Sequence, residues 1–257
     1  MKRDIHTITG GFGYTGAYLS KVLIKHGKVV ETLTNSPEKK AIDSQILAVH
    51  PLDFENKEGL IGSLKNTEVL YNTYWVRFNH KLFNHQQAVT NTFKLFYAAK
   101  KAGVKRIVHV SITNADSKSN LDYFRGKGEI EEYLIHVYDF AKQLAYAGEK
   151  VGKNIEVALG PERYSYVDLL NMIKKELKLK TVIIPMPNRL AWLGAQILGY
   201  FLNDVMLTWP EVLGLRQETL WEDQEPTGKV HLREWVKKHK DTLGNEYHNE
   251  LDRRRKK

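Results

Sequence analysis

The chain has 257 residues, 42% of them hydrophobic and 27% charged, enough for one large α/β domain or for a domain with a small second lobe, and this composition excludes intrinsic disorder as the default state. Its formal charge of +9 admits an anionic partner, but Lys is interspersed with Glu and no zinc-finger or RNA-recognition spacing is present, so specific nucleic-acid binding is not expected. The absence of cysteine excludes disulfides, thiolate catalysis and Cys-ligated zinc, and no metal site is expected.

The start, Met1-Lys2-Arg3-Asp4, enters an apolar run too short and too soon broken by glycine for a signal peptide. Ile5 to Thr9 reads as a strand, Gly10 to Gly13 as a turn, and Tyr14 to His26 as a helix closed by Gly27, with Leu19, Val22 and Leu23 at helical spacing. Strands follow at Val29 to Leu33 and Ile46 to Val49, then a short helix from Glu55 to Leu64, a strand from Val69 to Asn72, a long helix from Phe83 to Ala102 stopped by Gly103, and a β-branched strand from Arg106 to Val110. This alternation predicts an α/β fold: a Rossmann-like, doubly wound parallel sheet with helices on both faces.

The second half is less regular. Helices are expected from Tyr123 to His136, from Asp139 to Gly148, and from Ser165, as cap, to about Leu177; strands are expected at Ile155 to Leu159 and Val182 to Ile184. Helices dominate to the end, with a boundary near 148–154. The expected organisation is a dinucleotide-binding domain over 1–150 and a small, mostly helical substrate-side lobe with a basic tail over 151–257. The longest apolar stretch, Leu190 to Leu202, contains Gln196 and two glycines and is shorter than the ~20 residues a membrane span needs. It reads as a buried or surface-lying helix. A cytoplasmic protein without a transmembrane segment is expected, with a protein partner or a peripheral membrane contact left open. The tail Arg253-Arg254-Arg255-Lys256-Lys257 reads as a solvated end.

The chemistry starts at Thr9-Gly10-Gly11-Phe12-Gly13-Tyr14-Thr15-Gly16. A phosphate approaches the backbone closely only where no Cβ intrudes, and the N–H groups of a helix start then hold it. Gly10, Gly13 and Gly16 have GxxGxxG spacing between a strand and a helix, and with Phe12, Tyr14 and Thr15 they are the expected dinucleotide cradle; a turn that merely packs helix on strand is the alternative. Cofactor choice is read at the end of the second strand. There Thr34-Asn35-Ser36 offers neither an acid nor an arginine; Asn35 and Ser36 can bond a phosphate or a hydroxyl, and Lys39 and Lys40 follow. The reading leans to NADP over NAD.

Tyr123-Phe124-Arg125-Gly126-Lys127 places a phenol and an ammonium four apart on one helix face. A nearby cation stabilises a phenolate, so the pair can move a proton to or from a carbonyl or alcohol oxygen. Ser111 and Thr113, after the fifth strand, supply hydroxyls at the sheet edge where ligands of such folds bind. A core-facing Tyr with a snorkelling Lys is the alternative. Gly126 and Gly128 serve either a close approach to the cofactor or a loosened helix.

These segments resemble an extended or atypical short-chain dehydrogenase/reductase: TGGFGYTG at 9–16, LDF at 52–54, NTY at 72–74, HVSITN at 109–114 and YFRGK at 123–127. GPERYSYVDLL at 160–170 resembles the substrate-side segment of its epimerase/dehydratase-like members. The resemblance runs from Asp4 to about Trp235. It implies that Asp53 and Phe54 lie by the adenine, that Asn72 and Thr73 line the nicotinamide side, and that Asn91 supports the site. It further implies Ser111 or Thr113, Tyr123 and Lys127 as the catalytic set, with Lys127 also on the nicotinamide ribose. Asp53 as a helix cap and Asn91 as a polar surface residue are the alternatives. In that family a strand ending in Arg-Pro follows the Tyr-Lys helix; here His136 runs straight into Val137-Tyr138-Asp139, as if a strand–helix unit of roughly 30 residues were deleted.

The function expected is an NAD(P)-binding oxidoreductase or epimerase-like enzyme with Tyr123 as acid/base. The alternative is a non-catalytic NAD(P)-binding sensor or accessory or assembly subunit, a use some relatives make of the fold. The substrate is not readable: Tyr74, Trp75, Arg77, Trp192 and Trp209 serve a pocket or packing equally well.

Overall fold

A computed structural model describes residues 4–36, 45–112, 114–128, 145, 147–149, 158–216 and 224–255, without the side chains of 127, 128, 216 and 253–255. The chain forms two compact units, one of residues 1–133 with 137–157 and one of residues 134–136 with 158–257.

The first unit is built on five strands: β1 (Ile5–Thr9), β2 (Val29–Thr34), β3 (Ala48–Pro51), β4 (Thr67–Asn72) and β5 (Arg106–His109). They lie in the order β3-β2-β1-β4-β5, and every neighbouring pair is parallel. The crossovers carry α1 (Tyr14–Lys25), α2 (Lys57–Ser63) and α3 (His85–Ala102). Alternation along the strands fills two cores. Ile8, Val30, Val69 and Tyr71 pack with Leu19, Val22 and Leu23 of α1; Leu33 and Leu70 pack with Leu60 of α2 and Leu95, Ala98 and Ala99 of α3. A sheet buried on both faces by its crossover helices is the Rossmann-like, doubly wound arrangement expected of the sequence. Strand order reverses between β1 and β4, so a crevice opens beyond their carboxyl ends.

Element starts follow capping chemistry more than apolar period. Asn56 accepts from the Gly59 N–H and begins α2 two residues later than expected. Asn84 accepts from the Gln87 N–H and begins α3 at His85, after His80 and Phe83 have closed a short antiparallel bridge. The third strand lies at 48–51 rather than 46–49, with Ile46 buried ahead of it. Tyr123 falls on α4 (Asp122–Gly128); the expected continuation to His136 and most of the Asp139–Gly148 helix lie outside the described residues.

The second unit, among its described residues, is helical: α5 (Tyr166–Glu176), α6 (Asn188–Leu202), α7 (Trp209–Arg216), α8 (Leu232–His239) and α9 (Glu250–Arg255). Ser165 caps α5 through the Asp168 N–H, as its sequence predicts. The strand expected at Val182–Ile184 is absent: the segment has no regular structure and Val182 and Ile184 are exposed. β-Branched residues favour a strand only where a partner strand pairs with them, and none is described in this unit. Of the strand expected at 155–159, the described end is not extended ladder either; the Leu159 carbonyl accepts from the N–H groups of Thr227 and Gly228.

Candidate functional site

The loop after β1 is shaped by backbone contacts that leave no room for side chains. Gly10 has φ +69°, a left-handed conformation that only glycine adopts at no cost; its N–H donates to the Leu33 carbonyl at 2.7 Å and its carbonyl accepts from the Gly13 N–H at 2.7 Å. At Gly16 an added Cβ would stand 2.1 Å from the Gly10 carbonyl oxygen. α1 then starts at Tyr14 with no side-chain cap at Gly13 and no acid in its first turn. Its first N–H groups have no partner within the helix.

A fourth glycine, passed over by the GxxGxxG spacing, is equally fixed. The Gly11 N–H donates to Thr32 Oγ1 at 2.8 Å, and that hydroxyl donates to the Ile8 carbonyl at 2.8 Å. A Cβ at Gly11 would meet Thr32 at 2.7 Å. The available signal was a threonine in the middle of a buried strand.

Thr73 stands beside Gly10: a Cβ on Gly10 would be 3.8 Å from its hydroxyl. The Thr9 hydroxyl takes the Thr73 N–H at 2.8 Å and donates to Asn72 Oδ1 at 3.1 Å. Asn72 Nδ2 donates to His109 Nδ1 at 2.8 Å. Asn72 is thus spent in tying β1, β4 and β5 together, and Thr73 is the residue of the pair at the loop. Asn35 is exposed just past β2; Ser36 is half-buried, its N–H on the Thr34 hydroxyl. Asp53 is exposed, and its carboxylate accepts from the N–H groups of Glu55 and Asn56, while Asn56 is the cap of α2. Phe54 packs 4.9 Å from the Tyr74 ring. Asn91 is buried and bridges Gln87 to the Tyr74 hydroxyl. Of the loop side chains, Phe12 packs against the α1-side core, Thr15 is half-buried and Tyr14 is exposed.

Two residues beyond Thr73, no more than ~7 Å of chain, Trp75 enters an aromatic cluster. It stacks on His85 at 5.8 Å, and the Tyr123 ring meets His85 edge-on at 5.4 Å and Trp75 at 6.3 Å. A Cβ on Gly126 would lie 3.2 Å from the indole, so this glycine lets α4 and Trp75 pack closely. Beside the cluster lies a cavity of about 300 Å³ lined by Asn79, His85, Gln86, Asp122, Arg125 and Gly126. Arg125 is neutralised there by Asp122, and Asn79 donates to the same carboxylate at 2.8 Å. His85 is buried. Burial holds its imidazole below the ordinary histidine value, against the opposing pull of the Arg77 backbone and Asp122, so the ring is neutral. Nothing in the sequence marked His85, because its contacts come from distant segments. Ser111 is buried after β5. Lys127 shares α4 with Tyr123, but its side chain, like Thr113, lies outside the described residues. Trp192 and Trp209 pack on each other in the second unit.

Residues 1–148 match the NmrA-like family. The chain belongs to the NmrA-like family. A curated relative is the 40 kDa subunit of mitochondrial NADH-ubiquinone oxidoreductase from Neurospora crassa, 24% identical over 138 residues; the match takes in 51% of this chain and spans only 37% of that subunit's length. Among solved structures, the NADPH-dependent quinone oxidoreductase of Escherichia coli, complexed with NADPH, superposes with a TM-score of 0.71 at 18% identity, over 90% of this chain and 98% of the other. Triphenylmethane reductase of Citrobacter sp., complexed with NADP(H), gives 0.71 at 14% identity over 91% and 99%. The UDP-N-acetylglucosamine 4-epimerase of Bacillus cereus gives 0.51 at 16% over 68% and 85%. At these identities the likeness is one of fold.

Proposed function

We propose that the protein binds NADP(H) at the Gly10–Gly16 loop and acts as an oxidoreductase of the short-chain dehydrogenase type on a small uncharged substrate. The observation that carries the reading is the cradle itself: a left-handed Gly10 and two further glycines, Gly11 and Gly16, where a Cβ would collide with Thr32 or with backbone, opening onto a helix start without a side-chain cap. Gly10, Gly11 and Gly13 shape the turn with their own N–H groups spent inside it, the main-chain N–H groups of Tyr14, Thr15 and Gly16 at the start of α1 hold the pyrophosphate, Thr73 flanks it, Asn35 and Ser36 bond the ribose 2′-phosphate, and Asp53 and Phe54 lie toward the adenine. A bound nicotinamide supplies the hydride chemistry. The NADP(H) complexes of two structural neighbours favour the 2′-phosphate form.

Tyr123 has the role of proton donor or acceptor to a substrate oxygen, assisted by Lys127 and by Ser111 or Thr113. The adjoining cavity, closed by the neutral His85 and the internally balanced Asp122–Arg125 pair, receives the substrate without a net charge. The domain division at about residue 150 and the deletion after His136 belong to this reading, the deletion narrowing the substrate wall. Tyr123→Phe is expected to lower NADPH-dependent reduction of quinone or aldehyde probes by about 10²–10⁴-fold while NADPH affinity stays constant. Unchanged turnover in that variant would remove Tyr123 from the chemistry. A second reading, an NAD(P)-binding accessory subunit, rests on the similarity to the 40 kDa NADH-ubiquinone oxidoreductase subunit; stoichiometric co-purification with a partner and no turnover on any probe would favour it.

A further inference from the structure

α6 is turned inside out for a soluble helix. Its contacts within the second unit come from one stripe: Trp192 meets Trp209 edge-on, Gln196 donates to the Leu207 carbonyl at 2.8 Å, and Gly199 is buried where a Cβ would stand 2.6 Å from the Asp204 carbonyl oxygen. These positions, spaced four and three apart, lie on one face. The opposite face carries Leu190, Leu193, Ile197 and Phe201, with Leu198 and Tyr200 beside it, and all of them are exposed, Phe201 by 78% and Tyr200 by 85%. The segment leading into the helix adds exposed Val182, Ile184 and Met186. Contiguous apolar display of this kind marks an interaction surface.

The charges select its occupant. From Leu177 to Asn203 the chain has three cations, Lys178, Lys180 and Arg189, and no carboxylate; all three cations are exposed. A second copy of this chain would bring cations against cations with no acid in the segment to answer them. An anionic membrane surface answers them directly, and Tyr200 is a side chain that settles at the headgroup level. The helix has 15 residues, about 22 Å of rise against a ~30 Å hydrocarbon core, so it lies in the surface plane and does not cross. We propose that α6 and the 182–186 segment dock the protein on anionic lipid, with the Leu190–Leu193–Ile197–Phe201 row in the acyl boundary and Lys178, Lys180 and Arg189 among the headgroups. This is independent of whether the first unit turns over a substrate.

The test is flotation of the full chain with vesicles of phosphatidylcholine plus phosphatidylglycerol, and with vesicles of phosphatidylcholine alone. The wild type is expected to float with the anionic vesicles. The triple variant Leu193→Glu, Ile197→Glu, Phe201→Glu, verified as folded by circular dichroism, is expected to lose at least about tenfold in vesicle affinity. Lys178→Glu, Lys180→Glu, Arg189→Glu is expected to erase the preference for phosphatidylglycerol. The proposal is overturned if the wild type stays at the bottom with both vesicles, or if the apolar variant floats as well as the wild type, which would assign binding to the basic tail. A wild-type dimer that the apolar variant splits, with no vesicle binding, also overturns it.

Discussion

The two units treat apolar residues in opposite ways. In the first, Leu33, Leu64, Leu70 and Leu95 are wholly buried between the sheet and its helices; in the second, leucines and aromatics of α6 stand in solvent and, among the described residues, few large apolar side chains such as Met172 and Val236 are buried. A parallel sheet covered on both faces completes its own core, so the first unit has surplus precision to hold a backbone cradle. The second, among its described residues, is a set of helices, and the apolar row of α6 is exposed. Stability should therefore be concentrated in the first unit and surface association in the second.

The sharpest way to break this contrast is a matched pair of truncations. Leu33→Ala, at full burial between β2 and the α2–α3 layer, is expected to cost about 2–5 kcal/mol in urea unfolding. Leu193→Ala, on the exposed row of α6, is expected to stay within about 0.5 kcal/mol. Equal costs would mean that the α6 face is covered in the folded protein.

A smaller effect is expected at Gly16. Alanine there places a Cβ against the Gly10 carbonyl, and the loop must open to accept it, at about 1–3 kcal/mol. NADPH affinity should fall by roughly 10–100-fold, which is the same energy, with the sheet core intact by circular dichroism. If affinity is retained, the loop is a packing turn and not the cofactor cradle.

The smallest effect concerns acid. His6 is buried between Asp4 and the Tyr71 hydroxyl, and burial lowers its pKa against the opposing attraction of Asp4; burial likewise lowers His85. Both folded values lie below the ordinary 6.5, so the unfolded chain takes up protons first as the pH falls. The stabilisation is fully present above about pH 6.5 and is lost as pH falls from there toward the folded values, at up to about 1.4 kcal/mol per pH unit for each ring. His85→Phe keeps the stacking and should flatten part of that slope. A urea midpoint that does not move on acidification would place a charged imidazole in the fold.

Where the sequence read well, the physics was local. The β1–loop–α1 unit was visible because glycine itself records the missing space, and α5 because Ser165 is its own cap signal. The element starts at Lys57 and His85 drifted because Asn56 and Asn84, not the apolar period, decide them. Val182–Ile184 was misread because a strand needs a partner that no three-residue run can announce. The Gly11–Thr32 bond and the Trp75–His85–Tyr123 cluster were illegible for a different reason. Each joins segments far apart in the chain, and only the folded sheet brings them together.

The central claim is that the glycine loop of the first unit holds a dinucleotide. Calorimetric titration of the full chain with NADPH, and separately with NADH, tests it most directly. The account predicts saturable binding at one site per chain, tighter for NADPH. A folded protein that gives no saturable heat with either nucleotide would contradict it.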